Sequence, residues 1–220
     1  MTTAATRSVA HSVSPIRRLV GRPAMVSAFL APVVFIGGTV AAGLTWPSYD
    51  PVRQTISELA AGDAPTRVFM TVIFMITALC HVVTGVFLRG IAPAGRVALV
   101  LAGAATFAVA LFPLPTAAGT SVEHRTSAMA GFILLAVWPA LGARLRRSFP
   151  GIVRPLGAIL GTVVLATLCF WFLGVWSSPK ISTIGVVERI AAFAESLWPA
   201  IVVAGLLLVE GMRAGFLRET

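Results

Sequence analysis

Long uncharged, mostly apolar runs alternate with short charged stretches along all 220 residues. Between Arg22 and Asp50 lie 27 residues without a charge, between Arg67 and Arg89 lie 21, and between Arg96 and Glu123 lie 26. Between Arg125 and Arg144 lie 18, between Arg154 and Lys180 lie 25, and between Arg189 and Glu210 lie 20, broken only by Glu195. A helix needs about 20 apolar residues to cross ~30 Å of hydrocarbon. The runs therefore predict six spans, near 24–46, 68–88, 97–113, 126–143, 156–177 and 189–209. The short alternating segments of a membrane β-barrel are missing, and backbone inside lipid must satisfy its own hydrogen bonds. The expected fold is all-α, a polytopic membrane bundle of six transmembrane helices over 23–210. A tail is expected at each end, 1–22 and 211–220.

Composition agrees. Hydrophobic residues make up 57% and charged residues 11%, with mean hydropathy +0.92. A soluble chain is nearer ~25% charged. Disorder, collagen, coiled coil and a disulfide-rich scaffold are excluded. The first span is too long for a signal-peptide core and reads as an anchor. Residues 1–14, rich in Ser, Thr and Ala, read as a loose tail.

The basic residues orient the spans. Arg7, Arg17, Arg18, Arg22, Arg89, Arg96, Arg144, Arg146, Arg147, Arg154, Arg213 and Arg218 fall on one side, and Arg53, Arg67, Arg125, Lys180 and Arg189 on the other. That asymmetry predicts a cytoplasmic-membrane protein with both termini inside. The net charge of +9 then serves topology and attraction to anionic inner-leaflet lipid. The bilayer is the expected partner. Nucleic acid is not, because the basic residues are scattered without aromatic interleaving or a binding motif. No cofactor is implied.

Most acids fall on the outer side: Asp50, Glu58, Asp63, Glu123, Glu188 and Glu195. The segment from Asp50 to Gly62 carries a helix start, a stop and an apolar stripe of Val52, Ile56, Leu59 and Ala60. It predicts a short interfacial helix over 51–61, between spans one and two, as a cap or lid on the bundle. Its polar rows pair Arg53 with Ser57 and Gln54 with Glu58. Trp46 and Tyr49 mark the interface before it. Asp63, Glu123 and Glu188 each stand where an acid would complement a helix dipole, and Thr120 and Glu123 have capping-box spacing.

Glu195 differs. It follows Glu188 by seven residues, ~10 Å deeper along one helix. An ionisable group at that depth faces a cavity or a partner. It is therefore expected in the bundle interior beneath the 51–61 segment, with Arg53, Arg125 or Arg189 as candidate partners. His124, beside Glu123 and Arg125 at the water boundary, is a candidate acid–base group. His81 lies about fourteen residues into span two, too far from His124 in depth to share a metal ion. Thr77, His81 and Thr84 form a polar strip read as a hydrogen-bonded packing contact. Cys80 and Cys169 read as unpaired small core residues. Trp138-Pro139-Ala140 and Trp198-Pro199-Ala200 predict kinks in spans four and six, and Gly157-x-x-x-Gly161 predicts a close helix contact.

The run from Tyr49 to Leu59 (YDPVRQTISEL), Phe112-Pro113, the helix start at His124, and Gly185 followed by Glu188-Arg189 carry a resemblance. Together they resemble the prokaryotic integral membrane family known as domain of unknown function nine-nine-eight, over about residues 24–210. The resemblance implies a six-helix bundle in the cytoplasmic membrane and no particular reaction. Glu195 rests on its depth in the span, not on the resemblance.

Three functions remain. One is a membrane-embedded enzyme taking a lipid or isoprenoid from the outer leaflet. Its catalytic groups would be Glu195, Glu58 and His124 for acid–base work, with Arg53 or Arg125 stabilising negative charge. No nucleophile motif accompanies them. The second is a non-catalytic structural or interaction protein with its outer charges paired. The third is a small-solute transporter, which needs a polar path through both leaflets, and the inner half offers only His81 and its threonines. An enzyme should show a pocket lined by Glu195, a transporter a polar lining past His81, and a structural protein no sizeable pocket.

Overall fold

The computed structural model describes residues 19–178 and 182–219, with side chains through residue 212. The expected tail over 1–14, with Arg7, Arg17, Arg18 and Lys180, lies outside the described residues, as do the side chains of Arg213 and Arg218. Six helices follow in order: α1 (Arg22–Thr45), α2 (Arg67–Phe87), α3 (Pro93–Leu111), α4 (Val122–Leu141), α5 (Pro155–Trp176) and α6 (Ile184–Glu219). No strand is present among the described residues; an isolated bridge joins Val20 to Leu88. Five helices are long and apolar enough to cross a membrane. The fourth falls short because its first turn holds Glu123, His124 and Arg125. The described residues are thus all-helical, with five candidate membrane spans, as an integral membrane protein would have.

Helix starts follow local chemistry. Proline stands in the first turn of α1, α3 and α5, where its missing N–H is no loss. Ser121, one residue beyond the expected Thr120, caps α4 by accepting the His124 N–H at 3.1 Å. Asp63 caps nothing: Thr66 precedes α2, and Asp63 accepts the Ala117 N–H at 2.8 Å, tying the 46–66 and 112–121 loops together. α6 begins five residues before the expected span, so Glu188 sits inside it rather than at its start.

Each helix packs on its neighbours in the chain, and α6 closes the ring against α1. Lipid supplies no hydrophobic drive between helices, so small residues and hydrogen bonds bring them close. Ser27 Oγ meets Thr84 Oγ1 at 2.8 Å across α1 and α2, giving that end of the polar strip its expected packing role. Gly161 lies under the Trp198 ring of α6, whereas Gly157 seats against the Gly151–Val153 turn and not against a helix. Large apolar side chains such as Val33, Val68 and Phe170 are more than two-thirds exposed around the outside, as a lipid-facing surface requires.

Two apolar cores fill the ring. One, around Leu88, Leu99, Trp138 and Leu206, lies toward the basic end, where the 88–92 and 142–154 loops meet. There Glu210 accepts the Leu19 N–H, so the start of α1 lies beside the late turns of α6. The other core, around Phe35, Leu59, Met70 and Phe74, lies toward the acidic end.

The helix expected over 51–61 is absent. The segment is a chain of turns with one 3-10 turn, Ser57–Ala60. The groups that would close helical hydrogen bonds are taken by other partners. Thr55 N–H goes to Glu58 Oε1 at 2.9 Å, and Ile56 N–H goes to Glu188 of α6. The Val52 carbonyl accepts the Gly185 N–H at 3.0 Å. Gly185 permits this approach, since a Cβ there would lie 2.6 Å from the Pro51 carbonyl oxygen.

Gly103 tests the packing. A Cβ there would meet the Ala78 carbonyl oxygen at 2.7 Å, while one at Gly174 meets nothing within 4 Å. Gly103→Val should therefore destabilise the detergent-solubilised protein by about 1–3 kcal/mol through overpacking. Gly174→Val should leave the melting temperature unchanged, and equal effects of the two would contradict the α2–α3 contact.

Candidate functional site

Between the two cores the bundle holds a partly open cavity of about 90 Å³. Its polar lining comes from Ser57 of the loop, Thr77 and His81 of α2, Thr106 of α3, and Glu188, Glu195 and Ser196 of α6. Phe35, Phe74 and Phe132 are among its apolar walls. Glu195 is 1% exposed and faces this interior beneath the loop. Glu188 and Glu195 are seven residues apart, so two helical turns place them along one face.

None of the expected arginines partners Glu195. Its Oε1 accepts from the Cys169 thiol of α5 at 3.1 Å. Cys169 is therefore not simply a small core residue, although both cysteines are free. Glu188 does not serve as a helix-start acid; it is buried, and its Oε2 accepts the Ile56 N–H at 2.5 Å. His81 and Ser196 are each 2% exposed, and His81 Nδ1 and Ser196 Oγ have no partner among the described residues. Both residues line the cavity, so a polar occupant such as water has groups to satisfy.

His124 closes the acidic end. Its Nδ1 lies 2.8 Å from the Phe112 carbonyl oxygen and its Nε2 lies 3.0 Å from Ser57 Oγ. A carbonyl can only accept, so Nδ1 carries the proton and Nε2 is left to accept from the Ser57 hydroxyl. A hydroxyl, a base and a group that orients the base thus stand in sequence, the arrangement that activates a nucleophile. The structure brings His124 and Glu195 to this region. It leaves the other three candidates outside. Arg53 is exposed and pairs loosely with Asp50 at 3.6 Å. Arg125 is exposed on α4. Glu58 accepts from Thr55 and from Gln54 Nε2, the latter at 2.9 Å, and so holds the loop; the Gln54–Glu58 row is real, although its helix is not.

Sequence reading did not join Ser57 to His124, because 67 residues separate them and no spacing rule links them. It also missed Ser196. Among the described residues no three His, Cys, Asp or Glu side chains gather to hold a metal ion.

Arg189 and Tyr49 hold the loop from the other side. Arg189 Nη1 donates to the carbonyls of Pro51 and Gln54, both at 2.9 Å, and its Nη2 donates to the Tyr49 hydroxyl. That hydroxyl donates in turn to the Thr55 carbonyl at 2.8 Å. Burial pushes the Tyr49 hydroxyl up to about 12, against the opposing pull of the Arg189 charge. Tyr49 is the chain's one tyrosine, so tyrosinate absorbance reports it alone. A group raised in the folded state stabilises fully below its unfolded value of 10.0 and loses that contribution as pH climbs toward 12. The absorbance midpoint should lie near 12 in the folded protein, and Tyr49→Phe should flatten the loss of stability between pH 10 and 12. A midpoint at 10 would contradict the buried cluster.

The comparison with curated proteins returned no match, and neither did the comparison with solved structures. A family model described as Protein of unknown function (DUF998) matches residues 29–205. That stretch takes in every helix around the cavity, the loop over it, and the Gly185, Glu188 and Arg189 cluster that grips the loop. The chain therefore belongs to the family of proteins of unknown function DUF998.

Proposed function

We propose that the protein is a membrane-embedded enzyme whose serine–histidine pair, Ser57 and His124, acts on the ester of a lipid or isoprenoid drawn from the outer leaflet. The observation that carries this reading is the Ser57 hydroxyl, held 3.0 Å from a histidine nitrogen left free to accept its proton, on the wall of a cavity that also holds two carboxyls. Ligand pockets for whole small molecules run about 300–1,000 Å³. A cavity of about 90 Å³ suits only the reacting end of a substrate whose tails stay in the bilayer.

In the proposed reaction Ser57 Oγ attacks the ester carbonyl carbon as its proton passes to His124 Nε2. The Oγ–C bond forms, the ester C–O bond breaks, and the proton leaves with the alcohol. Water then attacks the acyl-serine, gives its proton to His124 and releases the acid as Ser57 recovers its own. Glu195 positions the attacking or leaving oxygen across the cavity. Glu58, Arg53 and Arg125 take no part.

The proposal includes six crossings and the orientation from the charge count. α4 packs between α3 and α5 in the ring, with Glu123 in its first turn and the Arg144–Arg154 loop beyond its other end. Both termini are placed in the cytoplasm and the cavity in the outer half of the cytoplasmic membrane.

A second reading has its own support. Glu188, Arg189, Asp63 and Glu58 all spend their charges on loop backbone, as a non-catalytic structural or interaction protein would. A transporter has less, because the cavity's polar lining continues neither to Thr84 nor to Ser27.

A fluorophosphonate probe separates the readings. The folded wild type in nanodiscs should be labelled at Ser57 and Ser57→Ala should not. His124→Ala should slow labelling by about 100-fold or more, the usual worth of a positioned base. Glu195→Gln should abolish lipid-ester turnover while leaving the melting temperature within a few degrees. Absence of label at Ser57 in folded wild type would sink the enzyme reading in favour of the structural one.

A further inference from the structure

At the basic end a second hollow, of about 690 Å³, is lined by Leu19, Arg89, Arg96, Arg144, Arg146 and Phe149, with Ala143 and Leu145 completing it. No acid lines it. The nearby carboxylate of Glu210 is occupied by the Leu19 N–H. Among the described residues the four arginines form no ion pair.

Two of the four are fixed by the fold. Arg96 Nε donates to the Gly85 carbonyl at 3.0 Å, and its Nη2 donates to Val86. Arg144 Nη2 donates to Arg89 O at 2.8 Å and to Ile91 O at 2.6 Å, and its guanidinium stands over the Phe149 ring. These bonds close off the last carbonyls of α2 and the loop beyond it. They also hold two like charges near each other. Burial, and then the facing Arg96, pull Arg144 below its ordinary value. Its Nε is buried without a partner among the described residues. Arg89 and Arg146 are exposed, and their guanidinium groups hold neither the backbone nor an acid among the described residues. Their charges are unspent.

We infer that this hollow binds the phosphate headgroup of an anionic phospholipid. Four arginines lining one hollow with no acid in its walls call for an anion, and arginine's fork suits phosphate oxygens. The position selects a lipid source. α2 ends at Phe87 and α4 at Leu141, so Arg89, Arg144 and Arg146 lie just beyond helix ends, and Arg96 is the fourth residue of α3, which begins at Pro93; all four then sit at headgroup depth. Leu145 lines the hollow and is 85% exposed, an apolar side chain placed to meet acyl chains. The site is independent of the Ser57–His124 chemistry.

The test uses full-length protein in nanodiscs of phosphatidylcholine with a minority of phosphatidylglycerol or cardiolipin, followed by native mass spectrometry. The wild type should retain the anionic lipid in preference to phosphatidylcholine. Arg89→Ala with Arg146→Ala removes two charges that hold no backbone, so the melting temperature in pure phosphatidylcholine should not move. At about 1 kcal/mol per basic residue near the surface, the preference should fall about 30-fold. Retention without preference in the wild type, or undiminished preference in the double variant, would overturn the site. Protection by inorganic phosphate or pyrophosphate with no lipid preference would place a soluble anion there and overturn the lipid assignment.

Discussion

Apart from the 3-10 turn Ser57–Ala60, the backbone of residues 49–61 is neither helix nor sheet, yet it lies over the mouth of a membrane bundle. Its polar groups cannot be left unpaired beside lipid. That constraint organises the acidic end. Glu188 accepts Ile56 N–H, Arg189 donates to the Pro51 and Gln54 carbonyls, and Tyr49 donates to the Thr55 carbonyl. α6 thus reaches across to close a loop more than 120 residues away in sequence. Gly185 lets its backbone come close enough to do so. The same segment carries Ser57 to His124 and forms part of the cavity wall through Ile56 and Ser57.

Beneath that loop the interior changes character twice. An apolar core around Phe35, Met70 and Phe74 gives way to a polar layer of Thr77, His81, Glu195 and Ser196, each at most 3% exposed. A second apolar core around Trp138, Leu99 and Leu206 then runs to the basic end. A polar layer in a membrane bundle is costly and marks function more often than packing. The basic end solves a different problem. Its arginines close the carbonyls of α2 and its loop and are left with charge to spare. The two ends therefore have separate chemistries, joined by an apolar stretch that the cavity's polar lining does not cross.

The positions of the six helices were legible from charge spacing alone. Lipid excludes charge and demands about 20 apolar residues per crossing, so the uncharged runs and the helices coincide within a few residues at most ends. The buried position of Glu195 was legible too, because seven residues after Glu188 fixes both its depth and its direction on a helix. The apolar stripe of Val52, Ile56, Leu59 and Ala60 misled. Ile56, Leu59 and Ala60 are buried as the pattern required, but burial does not say which hydrogen bonds the backbone makes, and α6 took them. Arg53 and Arg125 show another limit: a position near other charges in sequence does not fix what the side chain faces, and both are exposed.

By itself, the order of residues determined a helical membrane protein, the positions of its helices and one interior carboxyl, because exclusion from lipid acts on every residue according to its own type. Tertiary structure alone decided that Ser57 meets His124, that Cys169 meets Glu195 and that Glu188 holds a loop. Those contacts join residues 26 to 132 positions apart. Their distances follow from how six helices close into a ring, a property no local pattern encodes.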